Sequence, residues 1–116
     1  MKSIQTRGIR FRAFVGPSDF KAMVACANAS FAADKMDIFR TVEDMARDYA
    51  LFTSCVPQQD VWIAHTGSEI AGYVRAWHWT QADGLHLSGQ LGLAAPQWRR
   101  EGIGTALHFW LEARQL

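Results

Sequence analysis
Apolar and polar side chains alternate from Ile9 through Arg10, Phe11, Arg12 and Ala13 to Phe14, the period of a half-buried strand. Gly16-Pro17-Ser18-Asp19 interrupts that alternation and offers capping side chains for a helix. Phe20, Met23, Val24, Ala27 and Phe31 then recur at spacings of three and four, which makes one apolar face of an amphipathic helix. Residues 32–39 are a mixed polar connection. Thr41 next stands three residues before Asp44, a capping box with Asp in place of Glu. Val42, Met45, Ala46 and Tyr49 form the apolar face of the helix it opens.

The second half of the chain changes period. Residues 54–60, with Pro57 and two Gln, read as a loop. Residues 61–64 make a short buried strand, Thr66-Gly67-Ser68-Glu69 a turn, and residues 70–80 a long strand rich in Val, Tyr and Trp, so the two strands form a hairpin. Gln81-Ala82-Asp83-Gly84 turns the chain again into a third meander strand over 85–94. Gly89 and Gly92 within it predict a bulge or a close approach to the backbone. Pro96 stops that strand, and from Gly102 onward Ile103, Leu107, Trp110 and Leu111 mark a third amphipathic helix.

The predicted order is therefore β-α-α-β-β-β-α. This is an α/β (α+β) arrangement with a mixed, mostly antiparallel central sheet flanked by helices. No repeat, low-complexity tract or linker divides residues 1–116, so a single domain is expected. The sequence ends at Leu116 inside the last helix with no capping signal, and an open sheet edge there is a liability. The expectation is a C-terminally incomplete fold, completed by further chain or by another protomer.

Composition narrows the class. About half of the 116 residues are hydrophobic and a fifth are charged, the profile of a globular domain. A net charge of +1 supplies no global attraction for nucleic acid or an acidic membrane, so neither is expected as a partner. Nine Arg against three Lys suit phosphate or carboxylate contacts, although codon bias accounts for such an excess equally well. Cys26 and Cys55 show no metal or C-x-x-C spacing, and two free thiols fit a reducing compartment. The N-terminal dozen residues lack the apolar segment of a signal peptide, and no apolar run spans a bilayer, so the expected location is cytoplasmic.

One stretch carries chemistry. Pro96-Gln97-Trp98-Arg99-Arg100-Glu101-Gly102-Ile103-Gly104-Thr105-Ala106 runs from a strand end through two Arg into Gly-x-Gly at a helix start. Glycine frees the backbone and leaves room for a ligand, and the first N–H groups of a helix point at an anion. Arg99, Arg100 and the Thr105 hydroxyl add donors. The pattern lacks the Lys-Ser/Thr of the Walker loop and the third glycine of a dinucleotide fingerprint. Taken alone it justifies an anion site, and an ordinary glycine turn explains it as well.

Arg99-Arg100-Glu101-Gly102-Ile103-Gly104 matches the Gln/Arg-x-x-Gly-x-Gly/Ala signature of the GNAT superfamily of acyl-CoA-dependent N-acetyltransferases. The strand end Leu93-Ala94-Ala95-Pro96, the aromatic Trp98 and the following helix also resemble that family, as does the order of elements. The resemblance implies that the pyrophosphate of acetyl-CoA rests on backbone amides from Arg99 or Arg100 through Gly102, Ile103, Gly104 and Thr105. It also implies that the pantetheine arm pairs with the strand backbone around Leu93 and Ala94. A backbone N–H there polarises the thioester carbonyl, where charge grows as an amine attacks. The cosubstrate implied is acetyl-CoA, bound first, with direct transfer, no covalent enzyme intermediate and no metal. Ala94 stands where the family prefers Val, which leaves the backbone role intact. The family's next strand, last helix and closing hairpin, with a Tyr that often protonates the thiolate, have no counterpart in these residues.

Amine acetylation needs a proton removed. His86, Ser88 and Gln90 share one face of the strand before the turn, and His86 is the candidate base; a surface histidine is the plainer reading. Trp77 and Trp79 alternate away from His78 and serve as core or as aromatic acceptor walls. His65 and His108 read as structural or exposed. Asp34-Lys35-Met36-Asp37 is the family's acceptor-side loop, and its charges would greet a cationic amine. The acceptor expected is a small-molecule or peptide amine, left open among small amines, antibiotics, amino acids and protein amino groups. The rival function is a non-catalytic CoA-binding or interaction module of the same fold, and a homodimer remains an alternative assembly.

Overall fold
The computed structural model describes residues 8–53, 55–67, 69–99 and 102–115, and in it the alternating segments pair into one sheet. Its strands β1 (Arg10–Ala13), β2 (Val61–Thr66), β3 (Glu69–Thr80) and β4 (His86–Ala94) lie side by side in sequence order. Every ladder among the described residues is antiparallel; short turns impose this on β2–β3 and β3–β4, whereas helices lie between β1 and β2. Across the sheet Arg12 sits opposite Ile63, Ile63 opposite Tyr73, and Tyr73 opposite Leu93.

Helices cover both faces. On one, α1 (Phe20–Ala33) packs on β3 and β4 and supports α2 (Val42–Ala50). On the other, α4 (Ile103–Gln115) packs on β2, β3 and β4. The helix-period residues Phe20, Met23, Val24 and Ala27 are buried as expected, and Phe31 is half-buried at the rim. Phe14, Phe20, Tyr49 and Phe52 form a chain of rings with neighbouring centroids 4.7–5.6 Å apart. Ile103 and Leu107 enter the core from α4, and Trp110 stacks on Trp62 of β2 at 5.1 Å and 7°. The side chain of Leu111, predicted on the same face, lies outside the described part. No helix among the described residues is long and apolar enough to cross a membrane.

The capping box forms: the Thr41 hydroxyl accepts from the Asp44 N–H and the Asp44 carboxylate accepts from the Thr41 N–H, both at 3.0 Å. Val42, placed on the apolar face by its spacing, is exposed instead, and Met45 is the residue of α2 that is buried. The predicted loop over 54–60 contains one helical turn, α3 (Pro57–Asp60). Proline presets the first helical φ, and the buried Asp60 carboxylate accepts the Val56 N–H at 2.8 Å. β4 carries no bulge; the register instead shifts between β2 and β3, where Ala71 is the extra residue opposite the Ala64–His65 step. The close approach foreseen at Gly89 is real but comes from a side chain. Trp77 sits directly opposite, and a Cβ on Gly89 would lie 2.3 Å from its indole.

Candidate functional site
The chain from β4 into α4 is held at each step. Beyond Ala94, the Ala95 N–H donates to the Ala71 carbonyl at 2.8 Å, and Pro96–Trp98 make a single 3-10 turn. Trp98 is buried, with its indole N–H directed at the Glu69 carboxylate. Gly102 then takes φ +83°, a left-handed conformation that glycine alone adopts without strain. Its carbonyl accepts the first helical bond, from the Ala106 N–H at 3.0 Å. The N–H groups of Ile103, Gly104 and Thr105 therefore have no partner within the helix and stand at the positive end of its dipole. Gly104 faces open space: a Cβ built there meets no heavy atom within 4 Å. Thr105 is exposed beside it, whereas the Ile103 side chain is buried and only its amide faces the turn. Arg100 and Glu101 lie outside the described residues.

Arg99 turns its side chain elsewhere. Its guanidinium donates to both Asp34 oxygens at 2.7 and 3.2 Å and to the Ser30 hydroxyl at 2.9 Å, so it ties the end of α1 to the turn. Its Nε also reaches the Ala94 carbonyl at 3.4 Å. The pair raises the Arg99 pKa and lowers that of Asp34, each through the hydrogen bond to the other. Asp34, expected to greet an amine, is thus already answered by a cation.

β4 is the outer strand of the sheet. In an antiparallel ladder successive residues aim their backbone groups alternately at the partner and away. Ala95 bonds Ala71, so Leu93 faces β3, while Ala94 and Gly92 direct theirs to the open edge. Of the two strand-end residues singled out above, Ala94 presents an edge amide and Leu93 contributes its side chain. Between this edge and α4 runs a groove of about 410 Å³ lined by Gln90, Gly92, Leu93, Ala94, Gly104 and His108, among others. His108 was overlooked as a site residue. It follows Gly104 by four, and helix period alone puts the two on one face. His86 opposes Thr80 at the far end of β4. Eight residues separate it from Ala94, about 26 Å at strand rise, so the fold does not bring it to the turn. Its side chain lies outside the described part.

No protein-family model matches the chain, and no curated protein matches it by sequence. Solved structures match it by shape. A GCN5-related N-acetyltransferase from Sphaerobacter thermophilus superposes with a TM-score of 0.72 at 24% identity, over 91% of this chain and 31% of its own. An aminoglycoside acetyltransferase from an uncultured soil metagenomic sample, in complex with sisomicin, gives 0.66 at 15% identity, over 93% of this chain and 70% of that one. A GNAT family acetyltransferase from Brucella melitensis, in complex with acetyl-CoA, gives 0.64 at 13% identity, over 92% and 68%.

The chain has the GNAT fold. It spans under a third of the Sphaerobacter protein and about two thirds of the other two. Within this GNAT architecture the glycine turn heads α4, and the open edge of β4 leads away from it.

On the opposite face of the sheet a second cavity, about 360 Å³, lies between α1, α2 and the strands. Tyr49, Phe52, Tyr73, Leu91 and Leu93 wall it, and Arg40, Asp48 and Arg75 bring charge. Leu93 lines both this cavity and the groove beside α4, so the outer strand stands between the two. Burial drives the Tyr49 and Tyr73 hydroxyls well above the ordinary phenol range. Burial likewise pushes the Cys26 thiol up to about 12 and the Cys55 thiol to about 11, which leaves both thiols protonated near neutrality. Trp77 joins this face through Arg75. No group of three His, Cys, Asp or Glu converges among the described residues.

Proposed function
We propose that the chain is a single-domain portion of a GNAT N-acetyltransferase that binds acetyl-CoA and passes its acetyl group to an amine. The observation that carries this reading is the turn itself: a left-handed Gly102, amides on Ile103, Gly104 and Thr105 with no partner within the helix, and open space above Gly104 that would admit phosphate oxygens. Arg100 adds charge by its place in the motif, while Arg99 acts by holding the turn to α1. The neighbour solved with acetyl-CoA supports the same ligand here.

The pantetheine arm then follows the groove past Ala94 and Gly92, whose edge amides are free to pair with it. Acetyl-CoA supplies the activated acetyl carbon. An amine in the cavity beyond Leu93 attacks that carbon, the C–S bond breaks, and CoA leaves as thiolate while the amide forms. An edge amide of β4 stabilises the oxyanion. The two protonated cysteines make poor nucleophiles, which supports direct attack. We assign the amine's proton to water, since His86 stands too far along β4. The free buried thiols fit a cytoplasmic setting.

A non-catalytic CoA-binding module is the second reading, favoured by that same distance of the one candidate base from the strand end. Calorimetric titration with acetyl-CoA, followed by a CoA-release assay over a panel of amines, separates them. Binding with turnover supports the transferase, and binding without turnover on any amine supports the module. Absence of acetyl-CoA binding refutes both.

A further inference from the structure
The cavity between α1, α2 and the sheet holds one charge that no described residue answers with a counter-charge. Of its three ionic side chains, Arg40 and Asp48 pair with each other. Arg75 is left over. Its guanidinium carbon lies 4.2 Å from the Phe52 ring centre and 4.9 Å from that of Trp77. Among the described residues no carboxylate or other hydrogen-bond acceptor meets its donors. Aromatic faces hold a guanidinium in place yet leave its edge N–H groups unsatisfied. Those groups are a fork that matches a carboxylate.

We propose that Arg75 anchors a carboxylate in this cavity, and that the acceptor is an amine bearing both a carboxylate and an apolar body, of the amino-acid class. The inference rests on the acetyltransferase reading above and names its substrate class. Three features converge on it. The charged lining carries two guanidiniums against one carboxylate, which attracts an anion and repels a polycation. The remaining walls are aromatic and aliphatic, suited to an apolar side chain. Leu93 lines this cavity and also the groove along the strand edge where the thioester is expected, so a carboxylate held at Arg75 leaves the amine on the side toward β4.

The test uses two ligands that differ by one charge and require no turnover, N-acetyl-L-phenylalanine and its carboxamide, titrated into the full chain by heteronuclear NMR. The acid should bind about ten- to a hundredfold more tightly than the amide, the usual effect of a charge-assisted pair. Shifts should concentrate at Phe52, Tyr73 and Leu91. Arg75→Gln should reduce that preference to about twofold or less, and Arg75→Lys, which keeps charge without the fork, should retain part of it. Equal affinity for acid and amide, failure of both to bind, or tighter binding of a polycation such as sisomicin overturns the proposal. If Arg75→Gln does not fold, the wild-type and Arg75→Lys comparisons decide it. Acetyl-CoA affinity is titrated separately. Its absence removes the acetyl-transfer reading without touching carboxylate selectivity, and lost selectivity with acetyl-CoA still bound removes only the Arg75 assignment.

Discussion

Replacing Gly104 by Asp separates what the turn does for the fold from what it does for a ligand. Gly104 is the second residue of α4, and a side chain added there meets nothing within 4 Å. A glycine inside a helix costs about 0.5–1 kcal/mol relative to alanine. Aspartate has a lower helix propensity than alanine but gains about 0.3–1 kcal/mol from the dipole when placed in the first turn. The substitution should therefore stabilise the apo protein by about 0.5–1 kcal/mol, a rise in Tm of about 2–6 °C for a chain of this size.

The ligand should respond in the opposite sense. The new carboxylate stands where phosphate oxygens are to rest, and like charges so juxtaposed cost several kcal/mol. At 1.4 kcal/mol per factor of ten, acetyl-CoA should bind at least about a hundredfold more weakly. Isothermal calorimetry gives the affinity. Thermal melts with and without acetyl-CoA give the second readout, since a ligand that binds the native state raises Tm by mass action. Wild-type protein should show that rise and Gly104→Asp should not. Gly104→Ala, which adds a methyl without a charge, should gain stability and lose less affinity. If Gly104→Asp binds acetyl-CoA within about threefold of wild type, the turn is not the phosphate cradle. If it melts below wild type, the space above Gly104 is not open.

Two further perturbations test the scaffold. Gly89→Ala puts a methyl 2.3 Å from the Trp77 indole, which must move and release its face of Arg75; a loss of about 1–3 kcal/mol and a shifted tryptophan emission are expected, and an unchanged melt refutes the packing. Asp19 is buried, which raises its pKa, but the Arg12 guanidinium at 2.6 Å and the Val15 and Gly16 N–H groups outweigh that and hold it below the usual carboxylate range. A lowered folded pKa gives stability that is present above the unfolded value, near about 3.9, and is lost as pH falls through the folded one. Arg12→Met should thus be less stable than wild type by about 1–3 kcal/mol at pH 7, with the gap closing below about pH 4. A urea midpoint difference that stays constant from pH 7 to pH 3 counts against the pair.

Local periodicity carried most of the fold. Helices α1, α2 and α4 follow a period of three to four set by residues that end in the core, such as Met23, Met45 and Ile103, while β2 and β3 are near-continuous buried runs and β4 packs only Leu93 against that core. The failures share a cause as well. Pro57–Asp60 was read as a loop because proline and glutamine break apolar periodicity, yet a preset φ and one buried carboxylate bond suffice to close a turn there. A strand glycine such as Gly89 marks a bulge or a close approach to the backbone, and here the close approach is the one realised. What it makes room for is Trp77, twelve residues earlier, and only the register of β3 against β4 brings the two together.

The two halves of the candidate site differ in the same way. The proposed phosphate turn is written in consecutive residues, since a left-handed position, an uncluttered second helical residue and three amides without a partner in the helix are all properties of a local backbone. A motif can encode it. The cavity around Arg75 has no such encoding: Phe52 comes from the end of α2, Trp77 and Arg75 from β3, and Leu91 and Leu93 from β4. Arg75 in sequence is one arginine among nine, and nothing in its neighbours distinguishes it from an exposed strand residue. Its meaning arises when Asp48 is seen to be taken by Arg40, and when Asp34 is seen to be taken by Arg99. Asp34, which the sequence offered to a cationic amine, is consumed in holding α1 to the turn. In the cavity, among the described residues, the charge left without an ionic partner is the positive one at Arg75, and it selects for a carboxylate rather than a cation.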